Sequence, residues 1–244
     1  MKNIAIIGLG EIGSSLYEVY RAKDITPQTR DIDGEITGNV DILDICIPGQ
    51  LPDFVDVVNN YVEKYNAKIV IIHSTVPVGT TEKIKNAVHS PVRGVHPNLK
   101  QGIETFYKFI GHNDYSLGEQ VAKHYNSLGI NYSLWPDSRS TELAKLLSTT
   151  YYGLCIAWHG EMNKMCEKYG VGFDTIDEWT ETYNEGYKNL DMPHVVRPQL
   201  YPPSKSGIGG HCVISNVDIL SKDNDSLALD LIKKYRPKKW QSIF

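Results

Sequence analysis

Long apolar runs are missing from this sequence. Nowhere in its 244 residues do the roughly 20 consecutive hydrophobic positions of a membrane-crossing helix occur, and the opening MKNIAIIGLG passes into a glycine turn without the layout of a cleavable signal. Lysine and arginine, 25 in all, are outnumbered by 29 aspartates and glutamates, and a net charge of -4 argues against a nucleic-acid backbone as partner. The four cysteines, Cys46, Cys155, Cys166 and Cys212, show no C-x-x-C spacing, and the eight histidines form no H-x-x-x-H pair. Neither a disulfide framework nor a zinc site is therefore indicated. No internal repeat or low-complexity stretch is present. What remains is an ordinary soluble composition, 41% hydrophobic and 22% charged, expected in the cytoplasm and long enough for one large domain or two small ones.

The longest coherent segment runs from Ser138 to Tyr169. It is free of proline, preceded by Pro136-Asp137 and followed by Gly170, and it reads as a single helix. Asp137 or Ser138 can cap its first amides, Lys164 and Lys168 suit the carboxyl end of the dipole, and Gly170 can take the left-handed turn that stops it. Glu142, Lys145, Thr149 and Tyr152 share one face. A lysine against the apolar neighbours Leu143, Leu146 and Leu147 is a candidate acid/base; the alternative is an intrahelical ion pair with Glu142 on a solvated edge.

Ahead of this helix the chain alternates. KNIAII reads as a strand, Gly8-Leu9-Gly10-Glu11-Ile12-Gly13 as a dinucleotide turn and SSLYEVYRAK as a helix, the context that gives G-x-G-x-x-G its meaning. Gly8 allows the tight turn, Gly10 the approach of a pyrophosphate, and Gly13 the packing of helix on strand. Glu11 is an awkward guest beside a pyrophosphate unless it turns outward. Asp31, at the end of a short second strand, is placed to accept the ribose hydroxyls of NAD and to repel the extra phosphate of NADP, while Arg30 favours the opposite choice. Asp31 and Asp33 also read as turn residues before Gly34.

DILDICIP and AKIVIIHST follow as buried strands, LPDFVDVVNNYVEKY and TTEKIKNAV as helices, and the carboxyl ends of the strands carry Pro48-Gly49 and Ser74-Thr75. PVRGVHP, FYKFIGH and INYSLWP read as further strands, with LGEQVAKHYNSLG as a helix between the last two. After the long helix, FDTIDEWTETYNEGYKN and NVDILSKDNDSLALDLIKKY read as helices. They flank a proline-rich stretch that ends in Gly207-Ile208-Gly209-Gly210-His211-Cys212, a backbone made to bend and approach something closely.

Four of these stretches in order resemble the UDP-glucose and UDP-N-acetylmannosamine dehydrogenase family, within the 6-phosphogluconate and 3-hydroxyacid dehydrogenase superfamily. GLGEIG resembles the family's cofactor loop, HSTVPVGTT its STVPPGTT turn, ELAKLLSTT its E-x-A-K-L-x-x-N helix, and GIGGHCV its G-x-G-G-x-C loop. The resemblance spans residue 2 to about residue 235. It implies Cys212 as nucleophile, Lys145 as proton donor and acceptor at the reacting oxygen, and Thr75 beside the nicotinamide of NAD. Thr149 stands where the family has asparagine and Asn216 where it has aspartate. HPNLKQGIETF echoes the N-P-E-F-L-x-E-G segment loosely, with Asn98 where a glutamate is expected. Read from residues alone, Cys212 is either the reactive thiol of a glycine loop or an inert one. Glu142 is a structural or substrate-orienting partner of the lysine, and Arg197, Lys205 and the Gly209 loop either meet an anionic substrate or stay solvated.

The expected architecture is α/β: a Rossmann-type, doubly wound parallel sheet over residues 1–136, then an all-helical substrate and dimerisation domain over 137–244, joined by the long helix. Trp158 and Trp179 predict a homodimer through the helical half. The family continues beyond the position of Phe244 into a domain that holds the nucleoside diphosphate. A separate subunit completing the site, or a smaller sugar or hydroxy acid as substrate, is therefore expected. Oxidation by four electrons through Cys212, oxidation by two electrons through Lys145 alone, and a non-catalytic NAD-binding relative all remain open.

Overall fold

The computed structural model describes residues 2–204, 206–209 and 211–237. The chain forms two compact units, residues 1–145 and 146–244.

In the first unit, β1 (Ile4–Ile7), β2 (Gln28–Arg30), β3 (Ile42–Ile45), β4 (Ile69–Ile72), β5 (Ala87–His89), β6 (Lys108–His112) and β7 (Tyr132–Pro136) form one sheet in the order β2-β1-β3-β4-β5-β6-β7. The strand order reverses at β1, so the crevice between the carboxyl ends of β1 and β3 is the switch point where such sheets take their ligands. Pairing is parallel except between β5 and β6. Alternate residues feed two cores. Ile4, Ile6, Ile42 and Ile71 face α1 (Glu11–Arg21), α3 (Leu99–Thr105) and α4 (Tyr115–Leu128), while Ala5, Ile7, Leu43 and Ile45 face α2 (Phe54–Lys64).

The first of these cores also contains charge. Asp44 follows Ile42 by two, His73 follows Ile71 by two and Lys108 precedes Ile110 by two, so the strand period places all three on the α1/α4 face. Asp44 Oδ2 accepts from the Tyr20 hydroxyl (2.8 Å) and Oδ1 pairs with His73 Nε2 (2.8 Å). Lys108 Nζ reaches His73 Nδ1 (3.2 Å) and the carbonyls of Ser90 and Pro91, so each of its three N–H groups has an acceptor. The Tyr20 oxygen accepts in turn from His124 Nε2 (2.8 Å). Burial pulls Lys108 down to about 7 and His124 to about 4.

Four expectations are corrected. TTEKIKNAV is a single 3-10 turn at Thr81–Lys83 followed by β5, because Ile84 is extended and Asn86 sits at φ +57°. PVRGVHP is not a strand: Pro91 and Pro97 donate no backbone hydrogen bond, and Gly94 packs on Gly102 of α3, a helix the sequence reading did not anticipate. The antiparallel β5–β6 pair breaks the all-parallel pattern. NVDILSKDNDSLALDLIKKY is divided between two helices, because Asn224 caps Leu220 O (2.9 Å) and ends the first.

The long helix is present as α5 (Ser138–Tyr169), 32 residues, with Gly170 at φ +67° after it. The sheet unit extends through Lys145, so it includes the first turns of α5. The reason is that the first turns of α5 pack into the sheet unit: a Cβ on Gly111 of β6 would lie 2.2 Å from Thr141 Oγ1.

In the second unit, α5, α6 (Phe173–Asn189), α7 (His211–Leu220) and α8 (Leu227–Lys234) follow in order. Leu146, Ala157, Val213, Val217, Leu229 and Ile232 form the core. Glu161 fastens α8 to α5 by accepting from Tyr235 Oη (2.6 Å) and Lys234 Nζ, and together with Lys164 these partners hold its carboxyl down at about 2. No described helix is long and apolar enough to cross a membrane, and no metal-ligand cluster occurs among the described residues.

Candidate functional site

The glycine turn has the geometry its spacing predicts. Gly8 sits at φ +91° and its N–H donates to Arg30 O (2.8 Å). A Cβ there would come within 2.9 Å of the Cys46 carbonyl, and one on Gly13 within 1.8 Å of Gly8 O. An added Cβ on Gly10, the residue preceding α1, would meet open space. The amides of Glu11 and Ile12 open the helix, where N–H groups have no intrahelical acceptor.

Asp31 lies one residue beyond β2, and its Oδ1 accepts from Leu9 N of the glycine turn (3.3 Å). The acidic residue and the glycine turn therefore touch. Arg30 turns away from them, donating to Gly34 O (2.5 Å) and lying over the Tyr61 ring at 5.9 Å. Glu11 pairs with His96 Nδ1 at 2.6 Å, so its carboxylate has a cation-capable partner from the loop before α3. That partner was not visible in the spacing.

At the ends of β3 and β4 the loops interlock. Ser74 Oγ donates to Ile47 O (2.5 Å), and a Cβ on Gly49 would fall 2.1 Å from Thr75 O, so Pro48-Gly49 and Ser74-Thr75 lie against each other. His89, buried at the end of β5, bridges Ser74 O (Nε2, 3.2 Å) and Thr141 Oγ1 (Nδ1, 2.8 Å). Burial drives its pKa down to about 3, so the ring is neutral: Nε2–H donates to the carbonyl and Nδ1 faces the Thr141 hydroxyl, whose one proton also has Ser138 O within reach (2.9 Å).

Glu142 commits both carboxylate oxygens to the turn that follows, accepting from Gly79 N (2.6 Å), Thr81 N (2.8 Å) and Thr81 Oγ1 (2.6 Å). A substrate-facing reading of Glu142 thus meets a carboxylate already occupied. Burial raises its pKa and these three donors oppose the rise. Lys145, one turn further along α5 and half-buried, donates to Val92 O (2.9 Å). Gly8, Gly10, Glu11, Ile12, Gly13, Asp31, Pro48, Ser74, Thr75, Glu142 and Lys145 all belong to the first unit.

In the second unit, Cys212 stands in the first turn of α7 and Asn216 one turn later on the same face, buried. Thr149 is half-buried on α5. Arg197 lies over the Tyr183 ring at 3.8 Å, and its backbone N–H donates to the buried Asn184 Oδ1 (2.8 Å). Gly209 is exposed, and Lys205 lies outside the described residues. A cavity of about 620 Å³ between α5 and α6 is lined by Trp158, His159, Met162, Trp179, Tyr183 and Arg197 among others.

No protein-family model matches the chain. It is 26% identical over 190 residues to the UDP-N-acetyl-D-mannosamine dehydrogenase of Methanococcus vannielii, an alignment covering 74% of this chain and 41% of that protein. The chain therefore spans less than half the length of that relative. Its fold matches the UDP-D-ManNAc dehydrogenase of Pyrococcus horikoshii with a TM-score of 0.79 at 19% identity, over 96% of this chain and 68% of the other. It also matches the 3-hydroxyisobutyrate dehydrogenase of Mycobacterium tuberculosis with a TM-score of 0.68 at 13% identity, over 96% of this chain and 92% of the other. The sequence likeness is thus to UDP-N-acetyl-D-mannosamine dehydrogenases, and the fold is shared with solved UDP-sugar and 3-hydroxyisobutyrate dehydrogenases.

Proposed function

We propose that the chain is the NAD-binding and catalytic part of a nucleotide-sugar dehydrogenase that oxidises a primary alcohol. The observation that carries the cofactor reading is the contact between Asp31 and Leu9 N, which joins a glycine turn with no room for a Cβ at Gly8 or Gly13 to an acidic side chain at the end of β2. In this reading Gly8, Gly10, Gly13 and the opening amides of α1 hold the pyrophosphate. Asp31 accepts the ribose hydroxyls, and Pro48, Ser74 and Thr75 line the far half. When bound, NAD supplies the oxidant.

The reacting roles come from the resemblance. Lys145 takes the hydroxyl proton of the alcohol in the first oxidation. Cys212 Sγ then bonds to the aldehyde carbon, so the second oxidation gives a thioester and water releases the acid. Thr149 and Asn216 replace the family's amide and carboxylate, so a hydroxyl and an amide serve where an orienting amide and a base are expected. The exposed Trp158 and Trp179 support a homodimer through the second unit.

The test is NADH formed per UDP-N-acetylmannosamine consumed, in wild type and in Cys212→Ser. A ratio of about two in the wild type, with the variant stalled, fits the thiol route. A ratio of about one, unchanged by the substitution, fits a second reading, a lysine-dependent two-electron dehydrogenase of a smaller hydroxy acid. Asn216 in place of the family's aspartate favours that second reading, because a base that could assist thioester hydrolysis is missing. Absence of NADH with either substrate class leaves a non-catalytic NAD-binding relative.

A further inference from the structure

Two buried side chains of the first unit hold one loop from both ends. His89 grips Ser74 O at the start of the loop and Thr141 Oγ1 on α5. Glu142, the next residue on α5, grips Gly79 N, Thr81 N and Thr81 Oγ1 at its end. A single helical turn therefore fixes the 74–81 loop at two points about five residues apart, through side chains with no exposure to solvent. Lys145 sits one turn further along the same helix, so loop and lysine share one rigid support.

The place of this loop on the sheet gives the clamp its meaning. A dinucleotide on a doubly wound sheet lies across the carboxyl ends of the strands, with its adenosine ribose at the acidic residue after β2. Asp31 marks that end, the Gly8 turn marks the switch point, and the loop after β4 lies on the opposite side of β1. The half of the cofactor that carries the nicotinamide must then run toward residues 74–81. We infer that Glu142 and the His89–Thr141 pair are positioning residues for the nicotinamide end of the cofactor: they hold Thr75 and its loop where that ring must lie, without touching it. The inference rests on the cofactor reading above.

A side chain that only stabilises the fold would weaken every ligand of the unit together. A positioning clamp separates the two halves of the cofactor. The experiment is calorimetric titration of the full chain with NAD and with ADP-ribose, which lacks the nicotinamide, in wild type, Glu142→Gln and Thr81→Val. Glu142→Gln turns an acceptor oxygen into an amide donor facing a backbone N–H. It is expected to weaken NAD about tenfold while leaving ADP-ribose within about twofold, the effect of one lost charge-assisted hydrogen bond. Thr81→Val removes a single hydroxyl contact and should shift NAD in the same direction by about threefold, so the comparison survives if the first variant does not fold. Equal weakening of both ligands, or no change in NAD, overturns the inference. A wild type that binds neither ligand removes the cofactor reading and this inference together, and that failure is seen before any variant is made.

Discussion

The first unit buries a hydrogen-bonded chain of titratable side chains, whereas the second leaves Trp158 and Trp179 at the surface. Beneath the sheet, Asp44, His73, Lys108, Tyr20 and His124 form one chain of hydrogen bonds in which every placed proton has an acceptor. On α6 the only buried residue is Asn184, while Trp179 is 70% and Trp158 on α5 50% exposed. The contrast is one of self-sufficiency. A unit that closes charge inside itself must hold fixed strand ends, which suits a site that presents loops to a cofactor. A helical unit with an uncovered aromatic face is incomplete without something to cover it.

The largest expected effect comes from opening the buried chain. Asp44→Ala leaves the Tyr20 hydroxyl and His73 without their acceptor and removes the carboxylate that offsets the buried Lys108 charge, and should cost about 3–5 kcal/mol in urea unfolding of the full chain. A cost below about 1 kcal/mol would mean that the network does not stabilise the first unit.

Acid attacks the same region next. His89 and His124 have folded pKa values depressed to about 3 and about 4, below the unfolded value near 6.5. Their contribution is complete above that unfolded value and is lost as pH falls, because the unfolded chain takes up protons that the folded chain refuses. The slope reaches at most about 1.4 kcal/mol per pH unit for each ring. Lys108, depressed to about 7 from an unfolded value near 10.5, carries the same sign into the alkaline range, so stability rises between those values as the unfolded lysine retains its proton. Urea midpoints at pH 5, 7 and 9 should increase in that order, and a maximum at pH 5 would contradict the assignment.

The strands β1, β3 and β4, the glycine turn and the span of α5 were legible because each rests on local spacing: near-continuous apolar runs, G-x-G-x-x-G, and a proline-free stretch closed by Gly170. The clamp was not legible. Glu142 reads from its helix as a neighbour of Lys145, yet its partners Gly79 and Thr81 stand 63 and 61 residues away in sequence. Asp44 sits inside β3 and His73 just past the end of β4, each beside apolar strand residues, and a period of two assigns them a common face only once the β3–β4 register is fixed. The fragmentation of TTEKIKNAV was hidden by its helical composition, which Asn86 at φ +57° overrides.

The smallest effect on stability is expected from the second unit's surface. Trp179→Ala removes a mostly exposed side chain and should change the unfolding free energy by less than about 0.5 kcal/mol, while lowering the sedimentation coefficient from that of a dimer toward that of a monomer. A wild type that sediments as a clean monomer at micromolar concentration would remove the proposed dimer and leave the aromatic face unexplained.

The central claim, that the first unit is a dinucleotide site built for NAD, is tested most directly by titrating the full chain with NAD and with NADP in a calorimeter. Asp31 beside the glycine turn, with Arg30 turned toward Gly34 and Tyr61, predicts saturable binding of NAD and weaker binding of NADP, because the carboxylate accepts two hydroxyls and repels an added phosphate. Heat from NADP at lower concentrations than from NAD, or no heat from either, would contradict it.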